Sequence, residues 1–176
     1  MLRRHMTAAA VALWLSSAGP SAAQDAHAVP ALTLAPDGLV LRDMESDEEG
    51  RIGFGMEQDD AVAAVGAALG APESSDVNED CDAGTLGIVD FQGGMRLFFR
   101  AGEFVGWSTE GGWSGANGIR VGLTFEDVAG LAGEVQGEET SLGPEFNADG
   151  YSGLLSEAGG EGRVSTLWAG TICSMR

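Results

Sequence analysis

Lysine is absent from this chain, and histidine occurs only as His5 and His27, both near the amino end. The body of the sequence therefore lacks the general base of a Ser-His-Asp or Cys-His system, the imidazole ligands of a zinc site and any lysine nucleophile. Cysteine is limited to Cys81 and Cys173, with no C-x-x-C pair, which sets thiol redox chemistry aside. The longest apolar run, MTAAAVALWLS over 6–16, falls short of the ~20 residues a membrane-spanning helix needs. Positive charge is scarce as well. The 9 basic residues are all Arg and stand against 27 acidic side chains. Such a field repels phosphate backbones and anionic lipid head groups, so nucleic-acid and membrane-surface roles are disfavoured and a cationic partner or plain solubility fits better.

What is present begins with an export signal. Arg3 and Arg4 supply a charged start, 6–16 an apolar centre, and Ser21-Ala22-Ala23 a small-x-small cleavage site before Gln24, with Ala26-His27-Ala28 as a second candidate. The expectation is a protein cleaved near Ala23 and released into the periplasm or the exterior, with no membrane insertion afterwards. Losing Arg3 and Arg4 leaves seven Arg against the 27 acids, a net charge of −20. About 150 residues then remain, enough for one domain with its own core or two mutually dependent halves.

The stretch 51–69, RIGFGMEQDDAVAAVGAAL, states the plan of that body, because its pattern returns at 118–135 as GIRVGLTFEDVAGLAGEV. Placing Gly55 over Gly122 aligns Ile52 with Ile119, Phe54 with Val121, Met56 with Leu123 and Asp60 with Asp127, 67 residues apart. In each copy a short alternating strand meets a glycine and turns into a helix. The first helix carries Ala61, Val62, Val65, Ala68 and Leu69 at helical spacing, has Glu57, Asp59 and Asp60 in its first turn, and ends at Gly70 and Pro72. The second opens on Thr124 with Asp127 three residues later, a capping pattern, and lines up Phe125, Val128, Leu131, Ala132 and Val135.

Runs of β character follow the first helix at 85–91, 95–100 and 103–108, joined by short Gly-containing links, which predicts an antiparallel meander. After the second helix they fall at 151–155 and 163–169, with a weaker one at 144–146. Ahead of both, apolar runs at 31–34 and 39–42 flank Pro36-Asp37-Gly38 as a hairpin would. The charged block 43–50 and the acidic segment 73–84 read as solvated loops. The expected fold is α+β: two tandem helix-plus-antiparallel-meander units, 51–109 and 118–176, with the helices packed on one face of the sheet. A signal peptide (1–23), an extension (24–50) and a Gly-rich bridge (110–117) complete the chain.

These residues resemble two groups of exported proteins. Phe54-Gly55-Met56 with Asp60 and Val62, and Val121-Gly122-Leu123-Thr124 with Asp127 and Val128, are similar to the helix-opening phrase of both. One is the small lipoproteins of the outer-membrane barrel-assembly machinery (SmpA/OmlA type). The other is the tandem units of β-lactamase inhibitor protein. Asp90-Phe91-Gln92-Gly93, Leu97-Phe98-Phe99 and Gly102-Glu103-Phe104-Val105 are similar to the strands of such a unit. The resemblance implies a helical layer on an antiparallel sheet, two units side by side. This chain departs from both groups in having no lipobox Cys, Glu57 in place of a hydroxyl residue, and one Cys per unit.

Candidate sites are few. Cys81 and Cys173, in an oxidising compartment, are expected to pair and to pin the second unit onto the first. Asp76, Asn78, Asp80 and Asp82 resemble the opening of a calcium loop, but Cys81 and Gly87 stand where an EF-hand needs Gly and Glu. They leave a calcium or small-ligand protein as the second functional reading, and a carboxylate hydrolase as the third. Phe104, Trp107 and Trp113 cluster in the strands and the bridge and are candidates for an interface, with core packing as the alternative. Phe98 and Phe99, adjacent in one strand, must point to opposite faces, so the second face is either covered by 31–42 or open to a partner. No motif implies a cofactor and none assigns a catalytic residue or a metal. The reading favoured is a non-catalytic, acidic, exported module that binds another protein of the envelope or exterior through its sheet face or its bridge.

Overall fold

A computed structural model describes residues 31–44 and 46–174. The expected export signal, its expected cleavage point and the terminus through Pro30 lie outside them. The chain runs β1 (Ala31–Ala35), β2 (Gly38–Arg42), β3 (Glu49–Gly53), α1 (Gln58–Leu69), β4 (Ser74–Asn78), β5 (Leu86–Phe91), β6 (Met95–Arg100) and β7 (Glu103–Thr109). It continues through α2 (Phe125–Ala132), β8 (Gln136–Thr140), β9 (Gly143–Ala148), β10 (Tyr151–Leu155) and β11 (Val164–Gly170). All strand pairs within the sheets are antiparallel: β1-β2-β3 form a small sheet, and the other eight strands a large one in the order β4-β5-β6-β7-β11-β10-β9-β8. Each helix thus precedes four strands that pair in sequence, and β7 meets β11 at the centre.

The two corners that lead into the helices are built alike, but only the first follows a strand, β3: the strand predicted ahead of α2 does not form, and Arg120 makes just an isolated bridge with Ser114. Gly55 N–H donates to the Phe104 carbonyl, and Gly122 N–H to that of Val164, each at 2.8 Å. Phe104 and Val164 return the bond to the carbonyls of Met56 and Leu123, and Gln58 and Phe125 donate to Gly102 and Gly162. Gly55 and Gly122 hold φ of 92° and 90°, a left-handed conformation that a side chain would strain. Thr124 forms the full capping box with Asp127, whereas Glu57 at the start of α1 makes no side-chain cap. Gly133 ends α2 after 8 residues, against 12 in α1, so Val135 lies beyond the helix.

Three further expectations needed correction. The segment 73–84 is a loop only from 79: Ser74–Asn78 is recruited as edge strand β4 by pairing along β5. Gln136–Thr140 becomes the opposite edge by pairing along β9, which spans Gly143–Ala148. Both edges are polar and hold little apolar surface, so pairing rather than propensity forms them. Finally, 49–50 leave the charged block to begin β3, which pairs with β2 along its full length.

On the inner face of the large sheet, one core joins both helices and both sheets: Val65 and Val128 from the helices, Leu34, Leu39 and Ile52 from the small sheet, and Val89, Leu97, Phe99, Trp107, Phe146 and Leu167 from the large one. The β1-β2 hairpin is seated over the central strands. Trp107 Nε1 donates to the Ala35 carbonyl at 3.0 Å, Tyr151 Oη to the Leu34 carbonyl at 3.1 Å, and Leu34 N–H to the Ser114 carbonyl at 3.0 Å. The Trp107 and Tyr151 rings, one from each half of the sheet, pack 6.0 Å apart.

The outer face is covered at one end by the chain's own tail. After β11 the backbone crosses β7, with Thr171 N–H donating to the Val105 carbonyl, and a Cβ on Gly106 would collide with the Thr171 carbonyl. Cys173 bonds to Cys81, the expected disulfide, and Asp82 N–H donates to the Ser174 carbonyl. Beneath lies a second small core of Cys81, Leu86 and Phe98 with Ile88, Val105, Ile172 and Cys173 against it. The adjacent phenylalanines thus divide, Phe99 to the inner core and Phe98 to this one. The cover over Phe98 is 171–174, whereas 31–42 pack on the inner side.

Candidate functional site

Beyond the tail, the outer face carries one row of side chains that crosses the whole large sheet. Strand registers place Ser74 beside Asp90, Asp90 beside Arg96, Arg96 beside Ser108 and Ser108 beside Trp168. The row continues through Ser152 and Asn147 to Gln136. Seven of these eight positions are polar because alternate strand residues turn away from the core. Neighbours are bonded along the row: Ser74 Oγ donates to Asp90 Oδ2 at 2.8 Å, Arg96 Nε to Asp90 Oδ1, and Ser152 Oγ to Asn147 Oδ1 at 2.6 Å. Trp168, 7 % exposed, sits between the two serines as the one apolar member.

At the β4-β7 end of the row the surface sinks into an open cleft of about 380 Å³ lined by Glu73, Ser74, Asp90, Arg96, Ser108 and Glu110. Its floor includes Gly94, in the turn between β5 and β6. Trp113, half-buried, lies against the neighbouring Gly93 and donates Nε1–H to its carbonyl at 3.0 Å. The Arg96 hydrogen bond holds the Asp90 carboxyl below its usual range, against the opposing pull of partial burial, with the Ser74 hydroxyl assisting. Asp90, and more weakly Glu110, hold the Arg96 guanidinium protonated in return. The site is therefore a pre-bonded polar surface with carboxylates at its rim.

The residues singled out from sequence fall in different places. Cys81 and Cys173 meet as expected. Phe104 and Trp107 are each 0 % exposed, members of the inner core, so the folded chain does not present them to a partner. Both lie on β7, where a register shift opposite Phe98 and Phe99 brings residues three apart onto the same side, and the corner at Met56 and the β1-β2 hairpin close over that side. Trp113 is half-buried, packed against the inner core with its Nε1–H on the Gly93 carbonyl. Asp76 and Asn78 lie on β4, while Asp80 and Asp82 follow in the loop. Asn78 Oδ1 accepts from Asp80 N–H, and the Asp82 backbone is bonded to the tail. Among the described residues no group of three or more His, Cys, Asp or Glu side chains converges as metal ligands would. Sequence reasoning missed Asp90, Arg96, Ser108, Ser152 and Asn147. Their only signal was polar alternation within strands, and the registers that align them in one row are a tertiary property.

Set against known protein families, curated proteins and solved structures, the chain gives no match.

Proposed function

We propose that this is an exported, non-catalytic interaction module. In this reading it consists of two tandem helix-plus-meander units and binds another protein of the envelope or exterior through the outer face of its large sheet. The resemblance to barrel-assembly lipoproteins and β-lactamase inhibitor protein stays part of the proposal. The recurring corners at Gly55 and Gly122, with their matched backbone bonds to Phe104 and Val164, support the tandem reading. A corner into a helix has to be rebuilt in every unit, whereas a catalytic motif has no need to occur twice.

The observation that carries the interaction reading is the asymmetry of the large sheet. Its inner face is closed by α1, α2 and the small sheet. Of its outer face, residues 171–174 cover one end and leave the cleft and a row whose members, buried Trp168 apart, are exposed or half-exposed. Eight strands at about 4.8 Å spacing span roughly 34 Å, a width that matches a standard protein interface. Cross-linking in an extract of the envelope and exterior tests the reading. Ser108→Tyr with Ser152→Tyr would fill the row, and Ala63→Tyr on exposed α1 serves as control. Loss of a cross-linked species with the row variant alone supports the proposal; equal recovery from both variants removes the outer face from the site.

A further inference from the structure

Where 171–174 crosses the outer face of the large sheet, the two partners of the disulfide are anchored unequally. On the Cys81 side the loop after β4 has bonds of its own. Asp80 N–H donates to Asn78 Oδ1 at 2.9 Å, Gly84 N–H to the Cys81 carbonyl at 2.8 Å, and Arg100 Nη2 to the Ala83 carbonyl at 2.9 Å. On the Cys173 side, among the described residues, two backbone bonds hold the segment: Thr171 N–H to the Val105 carbonyl, and Asp82 N–H to the Ser174 carbonyl. The disulfide is the covalent tie. Gly170, with φ of 73°, turns the chain off β11, and Gly106 leaves the space into which the Thr171 carbonyl fits.

What lies beneath is separate from the main core. Leu86 and Phe98 are 0 % and 2 % exposed, and with Cys81, Ile88 and Val105 they form a cluster that shares no member with the core between the large sheet and the helices. Lifting 171–174 therefore uncovers apolar side chains without opening the core that holds the fold. Access to the bond is one-sided as well. Cys81 is buried, whereas Cys173 is half-buried, so an incoming thiolate reaches Cys173 first.

We propose that 171–174 is a redox-held strap: reduction of the Cys81–Cys173 bond by a dithiol lets the segment swing away at Gly170 and opens an apolar seat of Leu86, Ile88, Phe98 and Val105. One thiolate of the dithiol attacks Cys173 Sγ, the S–S bond breaks, and Cys81 leaves with the electron pair and takes up a proton. The second thiol of the dithiol then displaces Cys173 and closes its own disulfide, so two electrons and two protons pass to the protein. The freed Cys81 thiol has the Asn78 carbonyl as an acceptor, 3.7 Å from its sulfur. Phe98 shares β6 with Arg96, and Val105 shares β7 with Ser108, so opening adds an apolar patch to a polar face. In the oxidised chain Ile172 fills that seat. An uncovered apolar patch is a docking surface, and the strap sets when it is offered. The inference goes beyond the interaction reading and does not depend on it.

The test compares the full chain, oxidised and reduced with dithiothreitol, well below its melting midpoint. Hydrogen exchange should quicken about tenfold or more at the Thr171 and Asp82 amides and stay within about twofold in β9 and β10. Nile red, an uncharged probe of apolar surface, should brighten on reduction and dim again on reoxidation. Unchanged exchange and dye signal would show the segment seated without its bond, and overturn the proposal. Equal acceleration in β9 and β10 would make the bond a brace of the whole fold, and overturns it too. Cys173→Ser reads the strap without a reductant: Cys81 should be alkylated by iodoacetamide within about tenfold of its rate in the urea-unfolded chain, and stronger protection refutes release.

Discussion

Replacing both cysteines, Cys81→Ala with Cys173→Ala, should lower stability more than any other surface-linked change in this protein. The bond closes a loop with a sequence separation of 92 residues. In the chain-entropy account, a loop of that size is worth about 4.6 kcal/mol at 25 °C, because the unbridged unfolded chain regains that freedom. For a body of this size each kcal/mol moves the melting midpoint by about 2–4 °C, so the variant should melt roughly 9–18 °C lower. The loss should also have a location. The tail at 171–174 is held by Thr171 N–H to Val105, Asp82 N–H to Ser174 and the disulfide, and it covers Phe98 and Leu86. Without the bond, amides of β5 to β7 should exchange faster relative to those of β9 and β10. Circular dichroism melting and hydrogen exchange read the two effects. A fall below about 3 °C would refute the entropic argument, and uniform exchange would refute the tail's role as the local cover.

Thr124→Ala removes a capping box and should cost about 1 kcal/mol in urea unfolding, whereas Glu57→Ser at the uncapped start of α1 should gain a few tenths to about 1 kcal/mol. Trp107→Phe leaves the buried Ala35 carbonyl without its donor and should cost about 1–3 kcal/mol, read as a lower urea midpoint with unchanged slope. Tyr151, buried and near Asp149 and Asp37, has its phenol pushed up to about 12. The unfolded phenol ionises near 10, so this contribution is complete below about pH 10 and lost as pH rises toward 12; Tyr151→Phe should flatten that alkaline decline. Asp90 works in the opposite direction. Its carboxyl is held low by Arg96, so stability present above the usual carboxylate range declines as pH falls through the depressed value, and Arg96→Met should reduce the decline in acid urea titrations.

How far the fold was legible depended on whether an element's cause was local. The helix starts were legible because Thr124-Phe125-Glu126-Asp127 and Gly55 carry their own backbone chemistry, and both corners formed where the repeat placed them. The meander 86–109 was legible because alternation and Gly turns are local signals. Strands β4 and β8 were hidden, since SSDVN and QGEET have no β preference until a neighbour supplies hydrogen bonds. The aromatic candidates show the same limit. Phe104 and Trp107 look alike in sequence to residues that could face a partner, and only the seating of the β1-β2 hairpin and the first corner buries them.

By itself, the sequence determined the absence of Lys, the confinement of His to positions 5 and 27, the acidity of its surface, the recurrence of the Gly corner and the pairing of its two cysteines. Each follows from residue identity and near-neighbour spacing. The tertiary structure decided which face of the large sheet is closed, that the tail rather than the amino-terminal hairpin covers Phe98, and that eight residues from eight strands form one row. Those are matters of register and layer packing. A strand carries its alternation wherever it goes, but which residue stands beside which is fixed only when the strands pair.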